Sequence, residues 1–159
     1  MLRTVLAADP LARVSVFARD EKQRRFAIEI GAAWAGSTLD APPAPLDAVI
    51  DTTPAWTPIV GALQALAPGG RLVINAIRKE SADKEALLRL DYPAHLWMEK
   101  EIRTVANVTR ADVTEFLTLA ARTGLRPEVR DYPLRDANRA LGDLKRGGFT
   151  GALVLRPGP

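Results

Sequence analysis

The chain holds no cysteine and a single histidine, His95, and those two counts decide most of its metal chemistry before any fold is considered. Without thiols there are no disulfides and no thiolate metal sites. A catalytic zinc ion takes three protein ligands rich in histidine or cysteine, which one histidine among scattered carboxylates does not provide, so no metal site is expected in this chain. The groups that follow candidate strand ends, where open α/β sheets bind ligands, are Arg19 with Asp20, Thr52 and Thr53 with Pro54, and Asn75 with Ala76 and Ile77. Asp47 and Asp51 bracket a short apolar run at even spacing, so their side chains share a face of an extended segment; bonding to local backbone is expected of them rather than a catalytic dyad. His95 and Trp97 lie in a weakly periodic stretch and read as packing or surface residues, and Trp34 and Trp56 as core or loop packing.

What must position those groups is an alternation of strands and helices. Residues Leu46 to Ile77 read LDAVIDTTPAWTPIVGALQALAPGGRLVINAI. The pattern predicts a strand at Ala48 to Asp51 and a helix over Trp56 to Leu66, with Ile59, Leu63 and Leu66 at helical spacing. A turn at Pro68-Gly69-Gly70 and the strand RLVINAI complete it. That is the spacing of a nucleotide-binding βαβ unit, in which ligands lie beyond the carboxyl ends of the strands. Upstream, a helical Leu2 to Ala8 ends at Asp9-Pro10, because the residue before proline is pushed out of the helical region. Arg13 to Ala18 is a strand, Asp20 or Glu21 opens a helix running to Ile30, and Ala33 to Ala35 is a short strand closed by Gly36. The proline-rich Ser37 to Pro45 should be an exposed loop. Downstream, Arg78 to Lys100 is blurred and predicts one or two short helices, and Ile102 to Val105 a strand. Thr109 to Arg122 is a helix capped by Thr109, Val129 to Tyr132 a strand, Asp136 to Arg146 a helix closed by Gly147-Gly148, and Ala152 to Leu155 a last strand. The alternation predicts an α/β fold with a parallel sheet covered on both faces.

Composition narrows the function classes. At 159 residues with 47% hydrophobic content, the chain suffices for one ordinary domain with a sizeable core. The net charge of +3 comes from 22 basic and 19 acidic residues that are interleaved, as in RDEKQRR, which is too weak for a nucleic-acid footprint. No window approaches the ~18 consecutive apolar residues of a membrane span, and the N-terminus lacks the apolar core of a secretory signal. A soluble, cytoplasmic protein is the expectation.

The segments LQALAPGGRLVINAI, EIRTVANVTRADVTEFL and YPLRDANRALGDLKRGGFTGALVL resemble the C-terminal portion of the medium-chain, zinc-type alcohol dehydrogenases. The likeness covers nearly the whole chain. It implies a Rossmann-like nucleotide-binding domain entered one element late, without the first strand and the glycine-rich loop, followed by the segment that returns to the catalytic domain. A doubly wound sheet has the order 3-2-1-4-5-6, so a sheet without strand one must close up, be rearranged, or offer its open edges to another chain. The partners this implies are a homo-oligomer built on exposed sheet edges or a separately supplied catalytic domain.

The same resemblance gives the polar groups their expected roles. Arg19 stands where NAD-preferring members place an acid on the ribose hydroxyls; an arginine there suits the extra phosphate of NADP, Asp20 beside it blurs the choice, and a solvated helix start is the competing reading. Thr52, Thr53 and Pro54 would approach the cofactor ribose, or simply cap and open the next helix. Asn75 and Ile77 would lie beside the nicotinamide, or Asn75 would be a turn residue. Asn107 and Arg110, in ANVTRAD, match a motif in which an arginine at a positive helix start binds the pyrophosphate, with plain surface charge the alternative. The expected function is a partial NAD- or NADP-dependent alcohol dehydrogenase polypeptide, inactive alone, whose family's zinc has no site here. A noncatalytic nucleotide-binding or oligomerisation module is the alternative. A methyltransferase-like domain ranks third, and a final antiparallel hairpin would revive it.

Overall fold

A computed structural model describes residues 1–149 and 151–158, and the chain divides into two compact units, Met1–Glu115 and Phe116–Pro159. In the first unit the chain runs through α1 (Leu2–Ala8), β1 (Ser15–Phe17), α2 (Glu21–Glu29), β2 (Trp34–Gly36), β3 (Leu46–Asp51), α3 (Thr57–Ala65), β4 (Leu66–Ile74) and β5 (Glu101–Thr104). Helix α4 (Arg110–Thr123) carries the boundary, and the second unit holds β6 (Val129–Pro133), α5 (Ala137–Arg146) and β7 (Ala152–Arg156).

Each helix has a local reason for its ends. Asp9, preceding Pro10, is extended and stops α1. The Asp20 side chain accepts from the Lys22 amide at the start of α2, and Gly31, at φ +107°, turns the chain out of its far end. The α5 helix closes on Gly147, whose amide donates to the Asp143 and Leu144 carbonyls.

Every strand pair is parallel among the described residues: β1 with β2, β3 with β4, β4 with β5, and β6 with β7. The first unit therefore contains two separate sheets, ordered β1-β2 and β3-β4-β5. Set in the doubly wound order, these are its two flanks; among the described residues β1 and β3 each keep one edge without a ladder partner, and the two sheets are not joined. The parallel β6–β7 pair removes the antiparallel hairpin on which the methyltransferase reading depended.

The core lies where α3 crosses from β3 to β4. Ile59 and Leu63 of α3 pack with Leu66 and Leu72 of β4, and Leu46, Val49, Trp56, Ala62 and Ile74 close around them. Leu63 and Leu72 are wholly buried. On the opposite face Ile50 is 43% exposed, so the expectation of a sheet covered on both faces holds for one face only within this chain.

One further expectation needs correction. Pro68-Gly69-Gly70 is not a turn before the strand: β4 begins at Leu66, pairs with Leu46, and resumes at Arg71 opposite Ala48 after an irregularity. A Cβ on Gly70 would lie 2.8 Å from the Ala67 carbonyl, and Gly69 adopts φ +70°, so the glycine pair lets the backbone fold tightly inside the strand. The blurred region does hold two short helical elements, a 3-10 segment, Lys84–Arg89, and a π-helical turn, Tyr92–Leu96.

In the second unit the Tyr132 hydroxyl donates to Asp143 at 2.6 Å, tying β6 to α5, and Arg156 pairs with Asp131 across β6 and β7. The phenol bond holds the Asp143 carboxyl below its usual range and, reciprocally, raises the phenol.

If the α3 crossing is the core of the first unit, Leu63→Ala should cost about 2–5 kcal/mol through lost burial and the cavity left behind. Ile50→Ala, on the open face, should cost about 0.5 kcal/mol or less. Urea titration of both variants measures the contrast.

Candidate functional site

Because β3, β4 and β5 run parallel and adjacent, their carboxyl ends emerge along one edge. Asp51 ends β3 there and is buried, with 5% of its surface exposed. One of its oxygens accepts from the Thr53 amide at 3.3 Å and the Thr53 hydroxyl at 2.8 Å. The other accepts from Lys79 Nζ at 2.5 Å. Lys79, from the segment after β4, also donates to the carbonyls of Thr53 (2.9 Å) and Ala55 (3.0 Å) and lies 5.9 Å from the centre of the Trp56 ring. The Glu80 amide donates to the Pro54 carbonyl at 2.8 Å. Asp83 accepts from the Trp56 and Thr57 amides at 2.8–3.0 Å, capping α3 from 26 residues away. Those amide bonds, Thr57 first, hold the Asp83 carboxyl below its usual range.

The expected site residues fall into two groups. Thr52 and Pro54 are exposed and Thr53 half-buried after β3. Asn75 follows β4, its amide bonded to the Asp51 carbonyl at 2.7 Å, and the Ile77 side chain is fully exposed. Asn107 and Arg110 are exposed beyond β5, and Arg110 is the first residue of α4. These belong to one sheet edge. Arg19, exposed after β1, belongs to the separate β1-β2 sheet. Its carbonyl and that of Ala18 accept from the Arg24 guanidinium at 2.9 and 2.8 Å, so Arg24 fixes the turn that presents it.

One expected contribution changes. At the start of α4, the Asp112 carboxylate accepts from the Thr109 amide and hydroxyl, both at 2.7 Å, while Thr109 accepts from the Asp112 amide at 3.2 Å. Thr109 is the cap, as expected, but the positive terminus beside Arg110 already faces a carboxylate. Asp20 and Asp83 do the same at α2 and α3.

The remaining aromatic and histidine assignments hold. His95 is buried with Nδ1 3.0 Å from the Asp91 amide, Trp97 stacks edge-on against Tyr92, and Trp34 against Phe17. Asp51 does bond local backbone, but its principal partner, Lys79, was not anticipated; neither were Asp83 and Lys100. Lys100 is largely buried and donates to the Leu63 and Ala94 carbonyls at 2.7 and 2.8 Å, and burial lowers its pKa. In sequence all three look like solvated charges, and nothing in their spacing marks the contacts. No group of three His, Cys, Asp or Glu able to hold a metal occurs among the described residues, so the donor set does not fit zinc. Two shallow depressions, beside Pro42–Pro45 (about 250 Å³) and beside Tyr132–Arg135 (about 460 Å³), are lined by none of the expected site residues.

Fold and rim together define a Rossmann-like, nucleotide-binding type of α/β structure. Residues 16–155 match the family described as zinc-binding dehydrogenase, and the chain belongs to that family. It is 40% identical over 144 residues to the probable alcohol dehydrogenase AdhA of Mycobacterium tuberculosis (strain CDC 1551 / Oshkosh), a match covering 91% of this chain and 40% of that protein. The alcohol dehydrogenase of Aeropyrum pernix superposes on 97% of this chain and 45% of its own at a TM-score of 0.73 and 21% identity. The cobalt- and zinc-bound thermostable alcohol dehydrogenase of Pyrobaculum aerophilum does so on 96% and 46% at 0.73 and 22%. The chain thus spans less than half the length of these relatives.

The Asp83 cap supplies a pH signature. A carboxyl whose pKa falls on folding stabilises the fold above the ordinary carboxylate range and loses that contribution as pH falls through the folded value. Asp83→Asn should therefore lower the denaturation midpoint at about pH 7, and the gap to the unaltered chain should narrow as the pH falls below the ordinary carboxylate range. Denaturant titrations across that range measure it.

Proposed function

We propose that this chain supplies the nucleotide-facing part of a cytoplasmic NAD(P)-dependent alcohol dehydrogenase and performs no hydride transfer by itself. The observation carrying this reading is the gathering of Thr52–Pro54, Asn75–Ile77 and Asn107–Arg110 on one sheet edge in a chain belonging to the zinc-binding dehydrogenases. When bound, the coenzyme supplies the hydride acceptor or donor. Thr52, Thr53 and Pro54 offer backbone and small side chains to its ribose, Ile77 an apolar surface beside the nicotinamide, and Arg110, with Asn107, charge-assisted bonds to the pyrophosphate. Arg19 favours the additional phosphate of NADP, since the neighbouring Asp20 carboxylate is engaged in capping α2. Zinc chemistry, which the relatives' names imply, would need ligands from a catalytic domain outside these 159 residues.

The unpaired edges of β1 and β3 support assembly with a further strand, from such a domain or from a second copy. That observation also favours a second reading, a noncatalytic module held together by its sheet edges.

Titration with NADPH and NADH, followed by quenching of tryptophan emission, separates the readings. The dehydrogenase reading predicts tighter binding of NADPH, loss of that preference in Arg19→Glu, and about tenfold weaker binding of both coenzymes in Arg110→Ala, the loss of one charge-assisted bond. No coenzyme-dependent shift in melting temperature at roughly millimolar concentration, about the weakest affinity worth assigning, would sink it.

A further inference from the structure

The Lys79–Asp83 segment grips the β3–α3 loop from Thr53 to Thr57. Three consecutive carbonyls of the loop are taken: Thr53 and Ala55 by Lys79 Nζ, and Pro54 by the Glu80 amide. Two consecutive amides, Trp56 and Thr57, are taken by Asp83. The Ala55–Trp56 peptide is held at both ends, its oxygen by a cation and its N–H by an anion four residues further along the same segment. No ladder or helix supplies partners for these groups, and a buried peptide without partners would be costly.

The lysine fits this task closely. An ammonium has three protons, and Lys79 finds three acceptors, one of them the Asp51 carboxylate. Its side chain is 11% exposed and that of Asp51 4%, so neither charge is neutralised by water. Losing either partner alone would leave a buried charge uncompensated. The grip also orients the loop: with the carbonyls of residues 53–55 turned inward, Thr52 and Pro54 face solvent.

We propose that Lys79 is a positioning residue, the buckle of a strap formed by residues 79–83 that fixes the shape of the Thr52–Ala55 loop and thereby its fit to a coenzyme. The loop opens only when the Lys79–Asp51 pair separates. The functional half of this inference rests on the coenzyme reading above; the mechanical half does not.

Amide hydrogen exchange on the full chain tests the mechanical half, using Lys79→Met, Lys79→Arg and the charge-balanced Asp51→Asn/Lys79→Met pair. The double variant avoids the unpaired buried charge that threatens folding of the single one. The strap predicts at least about tenfold faster exchange at residues 52–57 in the double variant, with the Leu72 region of β4 unchanged, and partial restoration of protection by arginine. Unchanged exchange at 52–57, or acceleration there only in step with β4, would overturn it.

NADPH titration of the same proteins tests the functional half. If the strap positions the loop, the double variant binds at least about tenfold more weakly than the unaltered chain at a comparable melting temperature, and arginine recovers part of the loss. Equal affinity would overturn the positioning role. Local acceleration of exchange in a chain that binds no coenzyme would instead reject the coenzyme reading and leave the strap standing.

Discussion

Parallel pairing is the constraint on which the rest of the first unit depends. Parallel neighbours cannot be joined by a tight turn, so the chain leaves each strand at its carboxyl end, crosses a face and re-enters at the amino end. Between β3 and β4 that crossing is α3, and it brings Ile59 and Leu63 onto Leu72 to make a buried core cluster. The same geometry delivers the departing loops, after Asp51, Ile74 and Thr104, to one edge. The core and the candidate site are therefore two outcomes of one topology: apolar residues are drawn under the crossover, and polar ones collect where the crossovers begin.

Departing loops carry backbone groups that no ladder satisfies, and here long-range charges satisfy them. Lys79, Asp83 and Lys100 all bond to main-chain atoms of α3 or of the loop before it, from 24 or more residues away. Carboxylates at the starts of α2, α3 and α4 take amides that would otherwise attract an anion. In the proposed function, phosphate recognition then rests on guanidinium side chains, which can be tuned by single substitutions more readily than a helix terminus can. Arg19, held out by the Arg24 bonds to its turn, is the guanidinium to which that proposal gives the choice between two coenzymes.

Much of this was legible in the sequence because it depends on near neighbours. The helices at Glu21–Glu29, Thr57–Ala65, Arg110–Thr123 and Ala137–Arg146 follow from apolar spacing, with Asp20, Thr109 and glycine marking several ends. The family followed from segments whose order is preserved. What could not be read depends on contacts distant in sequence. In IRKESADKEALLRL every charge looks solvated, yet Lys79 and Asp83 hold the loop of the candidate site. Pro68-Gly69-Gly70 carries a turn signature, but pairing of Leu66 with Leu46 draws it into the strand. Arg110 stands at its expected helix start, although the Asp112 carboxylate that alters the terminus lay in view two residues on; its side-chain direction, not its presence, was the missing fact.

The exposed apolar residues bear on assembly. A strand in the middle of a parallel sheet is buried on both faces and reads as a continuous apolar run, as Ala48-Val49-Ile50 does. Val49 meets the α3 core, but Ile50, pointing to the other face, is 43% exposed. Val113, Phe116 and Leu117 of α4 likewise present an apolar side that nothing buries within either unit. Single exposed apolar residues are ordinary, but Ile50 falls on β3, whose edge is also without a ladder partner among the described residues, so open backbone and open apolar surface occur together there. A strand added at that edge would satisfy the backbone groups of β3, and an element carried with it would cover Ile50. Both demands are of one kind, since an extended segment leading into a further packed element would meet the open backbone and the open apolar face together.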